Sequence, residues 1–235
     1  MFPIKDNIPL VRFPIVTVVL VAINVVAYLL EIRHGGSFFA GPSDSVAVHY
    51  GAVPHELDHG HRLLTVFTSM FLHGSFLHIL GNMIFLAIFG PTVEDAIGRL
   101  RFPAFYLLGG LIALGVQVAV NPSSTGPTLG ASGAIAAVLG GYLLLYPRAR
   151  VLALVLIVFF FTLIEVPAVL LLGFWFVEQL YIGLVGLAGV GSSSESVAYF
   201  AHIGGFAFGL LAIRLFVKSA RSSASTPPPP TLPVY

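Results

Sequence analysis

Residues Gly130 to Pro147 read GASGAIAAVLGGYLLLYP, an apolar run that opens on small residues and stops at a proline. From Ser132 onward it offers about 15 residues, roughly 22 Å of helix at 1.5 Å per residue, against the roughly 30 Å of hydrocarbon a span must cross. Arg148 and Arg150 fix one end of the run, so a shortfall of roughly 8 Å falls on the other end. Ser132 is therefore expected to begin a helix below the outer surface. The loop before it, Asn121 to Gly130, must dip to meet that helix, which backbone tolerates only when buried in protein or facing a water-filled cavity. Taken alone, Gly130-Ala131-Ser132-Gly133 serves close helix packing as readily as chemistry.

The rest of the chain sets that run in a membrane. Over 235 residues the chain is 57% apolar and 9% charged, with a mean hydropathy of +0.97, too apolar and too poor in charge to cover a soluble domain. The net charge of +1 is dispersed, which gives no footing for nucleic acid. Cysteine is absent, excluding a disulfide framework, a thiol nucleophile and a Cys-based metal site. Six apolar runs reach or approach spanning length: about Pro14 to Glu31, Phe76 to Thr92, Phe102 to Val120, Ser132 to Tyr146, Val151 to Val177 and Val197 to Val217. The first is long, lacks a small-residue cleavage site after it and reads as an uncleaved span. With the N-terminus inside, Lys5, Arg12, Arg99, Arg101, Arg148, Arg150, Arg214, Lys218 and Arg221 share one side, leaving only Arg33 and Arg62 opposite. This asymmetry puts both termini in the cytoplasm. The loop from about Arg33 to Leu72 carries Pro42, Pro54 and five histidines, and at that length it is expected to function or to lack order. The tail, 218–235, has prolines at 227–230 and is expected to be a disordered cytoplasmic extension. Domain organisation is thus one membrane domain over 1–217 and a Pro-rich tail. Internal repeats, on which many transporters are built, are not evident.

A serine hydroxyl needs a base. His202 lies in the sixth run, where Ala201, Gly205 and Gly209 form a ridge of small residues every four positions. Gly133, Ala137 and Gly141 form a matching ridge on the fourth run, one residue along from Ser132. Two such ridges allow near backbone contact and would bring Ser132 to His202; a packing histidine is the plainer reading, but an ionisable group within a span points to function. In the second run His78 and Asn82 are four apart and share a helix face, offering two N–H donors suited to a tetrahedral oxyanion. His73 is off that face, near the loop boundary. Two histidines and an asparagine with no Cys or intramembrane carboxylate nearby make a poor zinc set; no metal and no cofactor is expected.

Together, His73-x4-His78-x3-Asn82, Gly130-x-Ser132-Gly133 and Ala201-His202-x2-Gly205, in that order on three runs, resemble the rhomboid family of intramembrane serine proteases. Phe13 to Thr17 and Glu94 to Arg99 resemble its bacterial members, and the likeness covers about Ile4 to Val217. It implies an all-α polytopic fold, six transmembrane helices in a compact bundle with a short fourth helix. It also implies a Ser132 nucleophile with His202 as general base and acid, and an oxyanion hole of His78, Asn82 and the Ser132 backbone N–H. His73, Gly130, Gly133 and Gly205 are supporting residues, and the fifth span gates the substrate path. The expected partners are membrane-spanning protein substrates and the lipid bilayer, in a bacterial cell membrane with the site opening outward. Two places depart from the family's pattern. Where members often carry Trp-Arg, eight residues before the first motif histidine, this chain has Leu64-Thr65, with Arg62 three residues earlier. Where an aromatic often stacks on the base, four residues after the serine, it has Ala136. A non-catalytic relative that binds client spans, and a transporter, are the alternative readings.

Overall fold

The computed structural model describes residues 2–157, 160–188 and 198–217. In chain order its elements are strand β1 (Phe2–Asp6) and helix α1 (Ile15–Arg33), then the loop-one helices α2 (Asp44–Tyr50), α3 (Pro54–Asp58) and α4 (Thr65–Thr68). A 3-10 turn (Ser69–Phe71) leads to α5 (Phe76–Ile97), α6 (Arg101–Val120) and α7 (Ser132–Leu145). The chain closes with β2 (Arg150–Ile157), β3 (Phe160–Pro167), α8 (Ala168–Leu187) and α9 (Tyr199–Phe216). Helices α1, α5, α6, α8 and α9 are long and apolar enough to cross a membrane, while α7, with 14 residues, is shorter. The protein is a mostly helical, polytopic membrane protein. The tail expected to be disordered, 218–235, lies outside the described residues.

Helix α7 is the axis of the bundle. It is apolar on every side, and every residue from Gly133 to Tyr142 is buried, as suits a helix with no solvent or lipid face. Around it pack Leu86 and Phe89 of α5, Phe102 and Phe105 of α6, Leu172 of α8 and Phe206 of α9. The outer helices expose apolar side chains instead, among them Val26 and Leu30 of α1, Leu170 and Phe174 of α8 and Leu211 of α9, which only a lipid surround would cover without cost.

Close approach of α7 to α9 follows from the two ridges. A Cβ on Gly205 would lie 2.1 Å from the Gly133 carbonyl oxygen, and one on Gly209 would lie 2.0 Å from that of Ala137. Only hydrogen fits there, so the backbones touch. At the other side of the bundle, Glu94 of α5 accepts from the Val16 and Thr17 N–H groups and from the Thr17 hydroxyl at 2.7–3.1 Å. A carboxylate at the first turn of α1 satisfies orphan donors and faces the positive end of the helix dipole, fixing α1 against α5.

One expectation is overturned. The apolar run from Val151 to Val177 is not a fifth span: its first part forms the antiparallel pair β2–β3, with β1 added on the far edge of β2. The fold is therefore not all-α. The first part of the run is rich in Val, Ile and Phe, side chains that favour strands over helices, and Pro167 closes β3 and stands at the N-cap of the helix. The long helix that follows α7 is α8, starting at Ala168 and running ten residues beyond Val177 to Leu187. Asp6 of β1 accepts from Thr92 of α5 at 2.7 Å and from the Tyr142 hydroxyl at 3.0 Å, which ties the sheet to the end of the bundle remote from Ser132. Arg99 and Arg101 bond the Phe13 and Phe216 carbonyls at that same end.

Candidate active site

Ser132 is the first residue of α7, and the loop before it is held by loop one. Ala52 and Thr128 exchange both backbone hydrogen bonds at 2.9 and 2.7 Å, the His55 N–H donates to the Ser124 carbonyl, and the Gly130 N–H donates to the Ser69 carbonyl at 2.8 Å. Loop one in turn is organised by Arg62. Its guanidinium pairs with Glu56 at 2.9 Å and donates to the Val48 and His49 carbonyls at the end of α2. Arg62 thus ties this loop together, from a backbone at φ +52°.

The first α7 bond runs from the Ile135 N–H to the Ala131 carbonyl, leaving the N–H groups of Ser132 to Ala134 without intrahelical acceptors. Above this helix start opens a cavity of about 870 Å³ whose lining includes Ser132, His78, Asn82, Trp175 and His202. His202 Nε2 is 2.8 Å from Ser132 Oγ. The ridge between α7 and α9 makes this possible, since Gly133 packs against Ala201 and Gly205.

His78 sits in the first turn of α5, where Ser75 caps the helix by accepting from the His78 N–H at 3.2 Å. Its Nδ1 accepts from the Gly74 N–H at 3.4 Å, so the ring proton belongs on Nε2. A Cβ on Gly130 would lie 2.9 Å from that Nε2 and 3.4 Å from Ser132 Oγ; the bare Gly130 Cα is what separates the two side chains. Gly130 also holds φ +131°, open to glycine and strained for other residues. Asn82 is buried, and its Nδ2 donor has no hydrogen-bond partner. A buried donor left unmet is costly, and Asn82 is a residue of the cavity lining. His73 is fully buried behind the site, ring to ring with His78 at 5.2 Å, and its backbone N–H donates to Glu31 of α1 at 3.2 Å. Burial, reinforced by His78, pushes the His73 imidazole down to about 3, so it stays neutral beside the cavity.

Two neighbours of His202 escaped the sequence reading, and both come from α8. Gln179 Oε1 lies 2.6 Å from His202 Nδ1, and the Trp175 ring is 5.7 Å from the imidazole, tilted by 39°. Trp175 lines the same cavity as Ala136. The signal was present as the chain's single tryptophan followed four residues later by a glutamine in an apolar run, but the displaced fifth span hid its meaning. Among the described residues, no group of three or more His, Cys, Asp and Glu is placed to hold a metal ion.

The family model of the Rhomboid domain matches residues 60–219. The chain is 33% identical over 152 residues to "Rhomboid protein 1, mitochondrial" of Saccharomyces cerevisiae, covering 63% of this chain and 40% of that protein. It is 36% identical over 91 residues to "Presenilin-associated rhomboid-like protein A, mitochondrial" of Danio rerio, covering 38% of this chain and 24% of that protein. To "RHOMBOID-like protein 5" of Arabidopsis thaliana it is 32% identical over 103 residues, 44% of this chain and 33% of the relative. It therefore spans well under half the length of these relatives. The matched residues take in α5 to α9 and every side chain placed around Ser132, and the chain belongs to the rhomboid family.

Proposed function

We propose that this chain is an intramembrane serine endopeptidase that hydrolyses peptide bonds in or beside the membrane-spanning segments of other proteins. The observation that carries the reading is the 2.8 Å contact between His202 Nε2 and Ser132 Oγ on the wall of the cavity. His202 takes the hydroxyl proton as Ser132 Oγ attacks the peptide carbonyl, and returns it to the leaving amine. The developing oxyanion meets the His78 Nε2–H, the unpartnered Asn82 amide and the Ser132 backbone N–H. Water entering through the cavity then hydrolyses the acyl-enzyme, with His202 again the base. The scheme uses no metal and no cofactor.

In this reading α7 is a sixth, truncated span. Its 14 residues amount to about 21 Å against roughly 30 Å of hydrocarbon, which sinks Ser132 below the outer surface. The Lys and Arg asymmetry puts both termini in the cytoplasm and the cavity outward across a cell membrane. Fractionation of the native host decides between that membrane and the mitochondrial location in the names of two relatives.

The test is covalent. A fluorophosphonate probe should modify the wild-type protein in detergent at Ser132 and should leave Ser132→Ala and His202→Ala unmodified. An unmodified but folded wild-type protein would point instead to a relative that binds client helices without cutting them.

A further inference from the structure

We infer that Gln179 is a positioning residue for His202, a neutral third member behind the Ser132–His202 pair; the inference rests on the protease reading above. Gln179 lies on α8, one helical turn from Trp175, and is buried at 7% exposure. A primary amide in an apolar helix costs free energy unless it is hydrogen-bonded, and the structure gives its oxygen the His202 Nδ1 at 2.6 Å. An amide oxygen only accepts, so Nδ1 must carry the ring proton. That choice leaves Nε2 with its lone pair towards Ser132 Oγ at 2.8 Å, the tautomer a general base requires. The opposite tautomer would point an N–H at the serine and could not take its proton.

During acylation the Ser132 proton passes to Nε2 and the imidazolium holds two N–H groups. The Nδ1–H goes on donating to Gln179 Oε1 and the Nε2 proton passes to the leaving amine, so Gln179 neither gains nor loses a proton. Gln179 and the Trp175 ring, 5.7 Å from the imidazole, approach from the same helix. That helix closes on α9 one turn further along, where a Cβ on Gly183 would lie 3.3–3.5 Å from Tyr199, Phe200 and Ile203. Orientation of the base is thereby delegated to α8, and any outward movement of α8 takes the acceptor away from His202.

The experiment measures the second-order rate of fluorophosphonate labelling, with kcat and KM on a model single-span peptide, for wild type, Gln179→Leu, Gln179→Asn and Gln179→Glu. Loss of the acceptor in Gln179→Leu, and its withdrawal by one methylene in Gln179→Asn, should slow labelling and kcat by roughly tenfold to a hundredfold with little change in KM. Gln179→Glu, whose carboxylate also accepts and enforces the same tautomer, should recover most of the loss. If Gln179→Leu labels at the wild-type rate, or if Gln179→Glu is as slow as Gln179→Leu while both stay folded, the positioning role is wrong although the protease reading stands. If Gln179→Leu fails to fold, Gln179→Asn against Gln179→Glu decides alone. A wild-type protein that does not label at all removes the protease reading and this inference with it.

Discussion

At Gly130 one hydrogen atom decides whether two functional side chains can share a cavity. A methyl there would crowd the His78 ring at 2.9 Å and stand 3.4 Å from Ser132 Oγ, on a backbone at φ +131°. Gly130→Ala should therefore strain the loop by about 1–3 kcal/mol and push His78 off the serine. Turnover should fall on the order of 10², as a misplacement of about 1 Å can cause, while the melting temperature in detergent moves only a few degrees. A Gly130→Ala protein with wild-type turnover would show that His78 does not need its present place. At this scale the sequence was informative where chemistry imposes spacing. His78 and Asn82 share a helix face because they are four apart, and Ser132 is marked by the short run that follows it. Gln179 was not legible as a partner of His202, because a single hydrogen bond between two helices leaves no periodic trace and its helix ends ten residues further along than the apolar run suggested.

Between elements, the decisive contact is α7 on α9. The ridge at Ala201, Gly205 and Gly209 could be read from the sequence because small residues every four positions form a flat face whatever the neighbour. The structure seats Gly205 on the Gly133 carbonyl. Gly205→Val should force the helices apart, at about 1–3 kcal/mol for overpacking, and should lengthen the 2.8 Å His202–Ser132 contact. The measurement is thermal unfolding beside probe labelling, with both expected to fall; a stable protein whose labelling is intact would mean the ridge is not what sets the pair. The β2–β3 hairpin marks where reading stopped. Val151 to Val177 is long and apolar enough for a span, and hydropathy does not distinguish a helix from a strand; the weight of β-branched and aromatic residues in its first part was the available clue. Its consequence reaches the site, since it moves α8 until Trp175 and Gln179 meet His202.

For the whole molecule, the placement of charge and the buried central helix agree. Arg99, Arg101 and Arg150 cluster with β1 at one end, and the cavity with loop one occupies the other. The absence of cysteine makes the orientation directly measurable with single-cysteine variants. Asp58→Cys should react with an impermeant maleimide in intact cells, whereas Arg148→Cys should react only after the membrane is permeabilised. The reverse pattern would invert the assigned topology. Composition and charge made the membrane class legible, since no soluble fold accommodates so few charges; the depth of Ser132 rests on the 14-residue α7. Whether Ser132 cuts other membrane proteins is read by cleavage of a single-span substrate co-reconstituted in liposomes, comparing wild type with Ser132→Ala. The wild-type protein should release two fragments from a cut in or beside the span, and the folded Ser132→Ala protein should release none. Equal cleavage by Ser132→Ala, or none by the folded wild type on a panel of such substrates, would contradict the account.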